Sequence, residues 1–350
     1  MQQNLVVGLV GFGYAGQTFH APLITATLGL DLCAVASSQP QRVLDHYPAA
    51  RVLPDALMLI KDPQIDLVVL ATPNASHYPL ACEALDAGKH VVVDKPFTLT
   101  VAQASELAQR AQASGKILSI FHNRRWDADF LGLKALIASG RLGQIAQFDS
   151  QFDRYRPQTR DRWRENTELG SGLWFDLGPH LIDQTLQLFG MPQAVFADLQ
   201  QRRAGAQAVD DFHVLLRYPT MRVKLSASCL VSGGAPRYML HGSLASFEKQ
   251  GLDMQESQLK AGLLPGAVGF GLDPVPGLLH HSVNDLVSSE EIVMPLGQYT
   301  NYYAAVRDAA LGLAKNPVTA EEGVLIMQVL EAAQQSAAIG AWQSMEAFNE

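Results

Sequence analysis

The chain has 350 residues, a formal net charge of −8, 48% hydrophobic residues and only 17% charged ones. That length exceeds what one hydrophobic core normally serves, so two domains are expected, and the acidic balance argues against nucleic acid or an anionic membrane as partner. Three scattered cysteines (Cys33, Cys82, Cys229), no spanning apolar run and no basic n-region at the N-terminus predict a cytoplasmic protein with free thiols and no metal site.

Leu5 to Val10 reads as a strand, followed at once by Gly11-Phe12-Gly13-Tyr14-Ala15-Gly16 and a helical pattern. In that context G-x-G-x-x-G is a dinucleotide-binding signal. Gly11 allows the tight turn, Gly13 the close approach of a pyrophosphate, and Gly16 the packing of helix on strand. The phosphates then meet unpaired N–H groups at the helix N-terminus. Leu32 to Ala36 makes the second strand. An NAD enzyme usually ends it with an acid for the ribose 2′-hydroxyl, whereas here stand Ser37, Ser38 and Gln39, with Arg42 three residues on. Hydroxyls and a guanidinium suit a 2′-phosphate, so NADP is favoured and NAD remains possible.

Residues 41–47 and 55–61 read as short helices, and Ile65 to Ala71 as a buried strand. Thr72-Pro73-Asn74 follows, with Thr72 and Asn74 placed to face a nicotinamide ribose; His77 reads as a capping or surface histidine. A helix then runs to Ala87 and stops at Gly88. Val91-Val92-Val93 is a further buried strand, ended by Asp94-Lys95-Pro96. Lys95 is thereby fixed at a strand's carboxyl end, where open α/β sheets bind ligands. Thr100 can cap the next helix, with Gln103 completing a capping box; the helix ends at Gly115, and Ile117 to Phe121 is a strand. Such alternation implies a Rossmann-type, doubly wound parallel sheet over residues 1–123.

Residues 124–350 change pattern. After a helix from about Asp127 to Ser139, Ile145 to Tyr155, Val195 to Gln201, His213 to Arg217 and Val223 to Leu230 read as strands, mostly without helices between. That implies an open, mostly antiparallel sheet in an α+β domain that binds substrate and drives oligomerisation. Residues 262–290 read as a long loop, and two helices close the chain, about Tyr299 to Ala314 and Ala320 to Trp342. Pro179 suits the first position of a helix continuing through Ile182, Leu186 and Phe189. His180 then lies in the first turn, where the helix dipole keeps the ring neutral, as a base requires, and Asp176 just before the helix orients it. Arginines are dense at Arg124, Arg125, Arg154, Arg156, Arg160, Arg162 and Arg164, with Trp126, Tyr155, Trp163 and Trp174 interleaved. Aromatic faces and multidentate donors suit a ring bearing hydroxyls.

With these residues in hand, the chain resembles the Gfo/Idh/MocA oxidoreductases over nearly its whole length. The matching motifs are the glycine loop at 11–16, Thr72-Pro73-Asn74, Lys95-Pro96, and Asp176 with His180; Asp94 departs from the family's usual Glu. The stretches Phe121 to Asp127, Arg156-Pro157, Arg162 to Glu165, Asp176 to Gln184 and Thr319 to Gly323 look like the NADP-dependent scyllo-inositol dehydrogenases within it. The resemblance implies oxidation of a cyclic polyol or sugar to the ketone, or the reverse reduction. His180 would take the hydroxyl proton, Lys95 stabilise the oxygen, and Asp176 position substrate or histidine. Asn123, Arg124, Tyr155 and Trp163 join Asp176 and His180 as candidate substrate contacts. Two other classes occur in the family, an NAD-dependent glycosidase and a silent ligand sensor; retention of Lys95 and His180 speaks against the sensor. An open sheet with an uncovered apolar face predicts a homodimer or homotetramer.

Overall fold

The structure is a computed structural model and describes residues 4–284 and 286–348. The chain forms two compact units. The first comprises Met1–Trp126, Met254–Gly271 and Gln298–Val324; the second comprises Asp127–Asp253, Leu272–Gly297 and Leu325–Glu350.

The first unit is built on six parallel strands, β1 (Leu5–Val10), β2 (Leu30–Ala36), β3 (Arg51–Leu53), β4 (Leu67–Leu70), β5 (His90–Val93) and β6 (Leu118–Ile120), in the order β3-β2-β1-β4-β5-β6. Leu67 to Leu70 and Val91 to Val93 are fully buried, as strands covered on both faces must be. The chain order reverses beside β1, so the carboxyl ends of β1 and β4 open a crevice at the switch point. The helix Val101–Ser114 starts on Thr100, whose hydroxyl accepts from the Gln103 N–H, and stops at Gly115. The Gln103 side chain completes the turn one residue earlier than a strict capping box, accepting from the Leu99 N–H at 3.2 Å.

The second unit carries β7 (Ile145–Gln151), β8 (Ala194–Gln200), β9 (Asp211–Arg217), β10 (Arg222–Ser228), β11 (Tyr238–Gly242), β12 (Ser246–Lys249), β13 (Gly277–Val283), β14 (Leu286–Ile292) and the short β15 (Gln343–Ser344). Their order is β14-β13-β12-β11-β7-β10-β9-β8-β15, antiparallel throughout except for the parallel pair β7–β10. Helix Gly172–Phe189 packs on β9 and β10, with Trp174 edge-on to Phe212 at 4.9 Å. On β9 the covered face is Phe212, Val214 and Leu216, each fully buried.

Three expectations change. Residues 262–290 are not a loop throughout: β13 and the start of β14 lie there, where Leu278, Leu279, His280 and Ser282 pair with the neighbouring strands. Glycines and prolines cluster before β13, and they masked the alternation that follows. Pro179 is not the first helical residue, because the helix begins at Gly172. Burial of Leu173, Trp174, Phe175 and Leu177 holds the extra turns together. Gly178 leaves room for the Trp174 ring, since a Cβ there would stand 2.7 Å from it. Finally, the sheet face opposite the helix is not apolar. One row across it reads Phe196, Leu215, Lys224, Asp149, Met239 and Glu248, with Lys224 on Asp149 at 2.8 Å.

Candidate active site

In the first unit, Gly11, Gly13, Ser37, Ser38, Arg42 and Thr72 line one cavity of about 320 Å³. Backbone chemistry places them there. Gly11 has φ 96°, and a Cβ on it would lie 2.5 Å from the Ala71 carbonyl. A Cβ on Gly16 would lie 2.2 Å from the Gly11 carbonyl, so the helix can approach the loop only through a glycine. Around Gly13, by contrast, nothing lies within 4 Å of such a Cβ, which leaves the backbone open to a ligand. The chain is helical from Tyr14 to Ala26, π-wound over Gly16–His20. The cavity's lining at the end of β2 is Ser37, Ser38, Gln39 and Arg42, and it contains no acid. A glycine-lined, open backbone of this kind fits a nicotinamide dinucleotide.

Asn74 is buried at the start of the segment leading into helix His77–Asp86. His77 is not a surface residue; it caps the short 3-10 turn Asn74–Ser76 and opens the helix that follows. Fully enclosed, its Nδ1 lies 2.9 Å from the Pro96 carbonyl and its Nε2 3.0 Å from that of Thr72. Burial lowers its pKa, against the pull of Asp94 and the two carbonyls. The ring thus ties the end of β4 to the turn after β5, the turn that carries Lys95.

Lys95 is half-buried, and its peptide bond to Pro96 is cis. Its backbone N–H donates to Asp94 Oδ1 at 2.8 Å, and Asp94 Oδ2 lies 3.7 Å from His20 Nε2. Burial pushes the Asp94 carboxyl up, but His20, Lys95 and His77 outweigh it and hold the group at about 2. An ionised acid thus sits directly behind the lysine. His20, itself fully buried, meets the Tyr303 hydroxyl at 2.6 Å on its other side.

Asn123 and Arg124 are buried in a short 3-10 turn, Asn123–Trp126, that ends the first pass through this unit. Arg124 Nη2 donates to Glu256 Oε2 at 2.7 Å, and the other Glu256 oxygen accepts from Lys260 and from Tyr14 of the glycine loop, each at 2.7 Å. Burial raises the Glu256 pKa, and Arg124, Lys260 and Tyr14 bring it down to about 2. Glu256 anchors the returning helix Gln255–Lys260 to the loop, and no sequence pattern marked it. Arg125 is likewise spent inside the unit, on Glu322 at 3.1 Å and the Pro317 carbonyl at 3.0 Å.

In the second unit, Asp176 and His180 stand one turn apart on the same face of helix Gly172–Phe189. His180 is buried, in the middle of the helix rather than at its start. The dipole argument for a neutral ring therefore lapses, because that effect fades beyond the first turn. Asp176 is a quarter exposed and lies 3.6 Å from the Arg154 guanidinium, beside a cavity that Arg162, Arg164 and Arg203 also line. Arg203 is a structural member of that wall, buried between Asp210 at 2.8 Å and Glu165 at 3.0 Å. Trp163 is half-buried under the Arg164 guanidinium, 4.7 Å from the ring centre, and Tyr155 is 59% exposed, bridging to Leu230. Among the described residues no group of three or more His, Cys, Asp or Glu is placed to hold a metal ion, and no helix is long and apolar enough to cross a membrane.

Comparison with known proteins adds to this geometry. Residues 5–122 match the Gfo/Idh/MocA model described as oxidoreductase family, NAD-binding Rossmann fold, and residues 134–345 its C-terminal alpha/beta domain. The uncharacterized oxidoreductase YdgJ of Escherichia coli is 48% identical over 96% of this chain and 97% of its own. The NADP(+) scyllo-inositol 2-dehydrogenase IolW of Bacillus subtilis is 39% identical over 95% of this chain and 94% of its own. A solved oxidoreductase from Yersinia pestis, 47% identical, superposes with a TM-score of 0.94 over 98% of both chains.

Proposed function

As the chain belongs to the Gfo/Idh/MocA oxidoreductases, we propose that it is an NADP-dependent dehydrogenase that oxidises a cyclic polyol or sugar of the scyllo-inositol kind to its ketone, or runs the reverse reduction. The observation that carries the cofactor is the acid-free lining of Ser37, Ser38, Gln39 and Arg42. A carboxylate there would accept from a ribose hydroxyl and repel a phosphate; hydroxyls and a guanidinium do the opposite. For the substrate class, the support is the likeness to IolW over both domains.

Gly11, Gly13 and Gly16 would hold the dinucleotide's phosphates, and Thr72 and Asn74 its nicotinamide ribose. When bound, that cofactor would supply the hydride acceptor or donor at its nicotinamide ring. The chain's own residues do the rest. His180 takes the proton of the reacting hydroxyl, and Lys95 donates a hydrogen bond to the same oxygen as its charge develops. Asp94, ionised and buried, accepts from the Lys95 backbone N–H and so helps hold the residue in place. Asp176, with Asn123, Tyr155 and Trp163, orients the polyol, while Arg124 is committed to Glu256. We further propose a homodimer or homotetramer through the open face of the nine-stranded sheet, where Phe196, Leu215 and Met239 share a row with charged residues, so the contact would be mixed rather than apolar; a stable 38 kDa monomer in light scattering at micromolar concentration would refute that part.

The enzyme reading is tested by following absorbance of the reduced cofactor with a panel of inositols and sugars, each with NADP and with NAD. Turnover of a cyclic polyol or sugar with NADP, at least about tenfold more efficient than with NAD, is expected. No turnover across the panel, or equal efficiency with both cofactors, would count against it.

A further inference from the structure

We infer that Gln17 and His46 form a positioning device that presents Arg42 to the 2′-phosphate of NADP. The inference rests on the NADP reading above and extends it to residues outside the usual second-strand turn. Arg42 is exposed on the short helix Pro40–Leu44, and an unrestrained arginine there would sample many rotamers. Here two terminal nitrogens are held: Nη2 donates to Gln17 Oε1, and Nη1 donates to Gln39 Oε1 at 3.3 Å.

The donor and acceptor roles in this cluster admit one assignment. Arginine carries only donors, so the oxygen of the Gln17 amide must face it, and the amide nitrogen must point away. That nitrogen lies 3.1 Å from His46 Nε2, which is therefore the accepting, unprotonated ring atom. The other ring atom, Nδ1, lies 3.0 Å from the Arg42 carbonyl and donates to it. The bonds close a circuit from the Arg42 side chain through Gln17 and His46 to the Arg42 backbone, and it is complete only with His46 neutral. Phe12, buried in the glycine loop, packs edge-on against the His46 ring at 6.1 Å and seats it. Gln17 in turn follows Gly16, the residue locked on Gly11, and its backbone N–H donates to the Gly13 carbonyl at 3.0 Å. The loop that faces the diphosphate and the guanidinium that faces the ribose end are thus parts of one framework.

The chemistry of the holding group matters. An amide fixes the guanidinium without neutralising it, as a carboxylate would. The nearest acid in sequence, Asp45, accepts from Gln41 at 2.8 Å, and no carboxylate among the described residues pairs with Arg42. Of the five N–H donors of the guanidinium, the two bonds leave three for phosphate oxygens.

The test is equilibrium binding of NADP and NAD to the full chain and its variants, read as the ratio of the two dissociation constants. Gln17→Ala is expected to reduce the preference for NADP about fivefold, the worth of one net hydrogen bond. Gln17→Glu should reduce it further, since its carboxylate neutralises Arg42 and faces the phosphate. His46→Ala, a second route to the same defect, should reduce it in the same direction. In an Arg42→Ala background, Gln17→Ala should leave the ratio where Arg42→Ala set it. A ratio unchanged by Gln17→Ala, both affinities falling together, or the same loss in the Arg42→Ala background would overturn the inference while leaving the NADP reading intact. Equal affinities in the unmodified protein would overturn the NADP reading itself, and this inference with it.

Discussion

Asp94 in the first unit and Asp129 in the second are both buried, at 7% and 0% exposure, and they end in opposite states. Asp94 accepts the Lys95 N–H and faces His20, and its carboxyl is held at about 2. Asp129, in the first turn of helix Ala128–Ala138, has no hydrogen-bond donor on either oxygen among the described residues. Burial raises its pKa, and Asp253 and Asp273 add like charge against the opposing pull of Arg237 and Lys249. The cations nearby are already spent. Lys249 pairs with Asp273 at 3.0 Å, and Arg237 donates to Ser150, Gln151 and Gln184 while its Nε stays 4.0 Å from Asp129. Depth of burial therefore decides nothing alone. What decides is whether donors converge on the carboxylate, and they do at the strand end that carries Lys95.

If the charge-balanced strand end serves chemistry, the largest effects belong there and at its counterpart on the second unit's helix. Lys95→Ala and His180→Ala should each lower kcat by roughly two to four orders of magnitude, and the double variant should lose far less than the two combined. The rise of the oxidation rate with pH, as a base loses its proton, should vanish in His180→Ala. A His180→Ala enzyme with near-normal kcat and the parent's pH profile would leave the second unit without a catalyst.

Next in size is stability. A folded pKa near 2 lies below the unfolded value of about 3.8, so Asp94 stabilises the fold above that value and the gain is lost as pH falls through the folded one. Asp94→Asn should then cost about 2 kcal/mol at pH 7 in denaturant unfolding, and the gap should shrink towards pH 2. Equal stability of the two proteins at pH 7 would remove the contrast with Asp129. Ser37→Asp should shift cofactor efficiency away from NADP by about tenfold, or about 1.4 kcal/mol, by opposing the 2′-phosphate; steady-state kinetics with both cofactors reads this directly.

The smallest expected effect concerns Asp129. Its folded pKa is raised, so the folded state binds the proton more tightly, and the contribution present at low pH is lost as pH rises through the raised value. Thermal unfolding should therefore show a downward slope between the unfolded value of 3.8 and the raised value of about 6 that Asp129→Asn flattens. An identical slope in the variant would mean that Asp129 is charged and matched, as Asp94 is.

What could be read ahead of the structure follows how local the cause is. The glycine loop, the strand Val91–Val93, the stop at Pro96 and the helix from Thr100 to Gly115 each rest on neighbouring residues, and each stands where its pattern put it. The open sheet was legible in its first strands by alternation. β11 to β14 were not, because Gly- and Pro-rich stretches hide short strands whose partners lie far along the chain. Pro179 misled for the same reason: the turns before it are held by burial and by Trp174 on Phe212, a partner far along the chain. His77 carried no sequence signal for its place between the Thr72 and Pro96 carbonyls, and neither did Glu256 for its hold on Tyr14 and Arg124. By itself, then, the sequence determined the elements and the chemical kinds of residue at the strand ends, since dihedral preference and periodicity act over a few residues. Only the tertiary structure decided which charges are paired, which are stranded and which side chains hold others in place. Those outcomes depend on desolvation and on partners tens to hundreds of residues away, which no local pattern encodes.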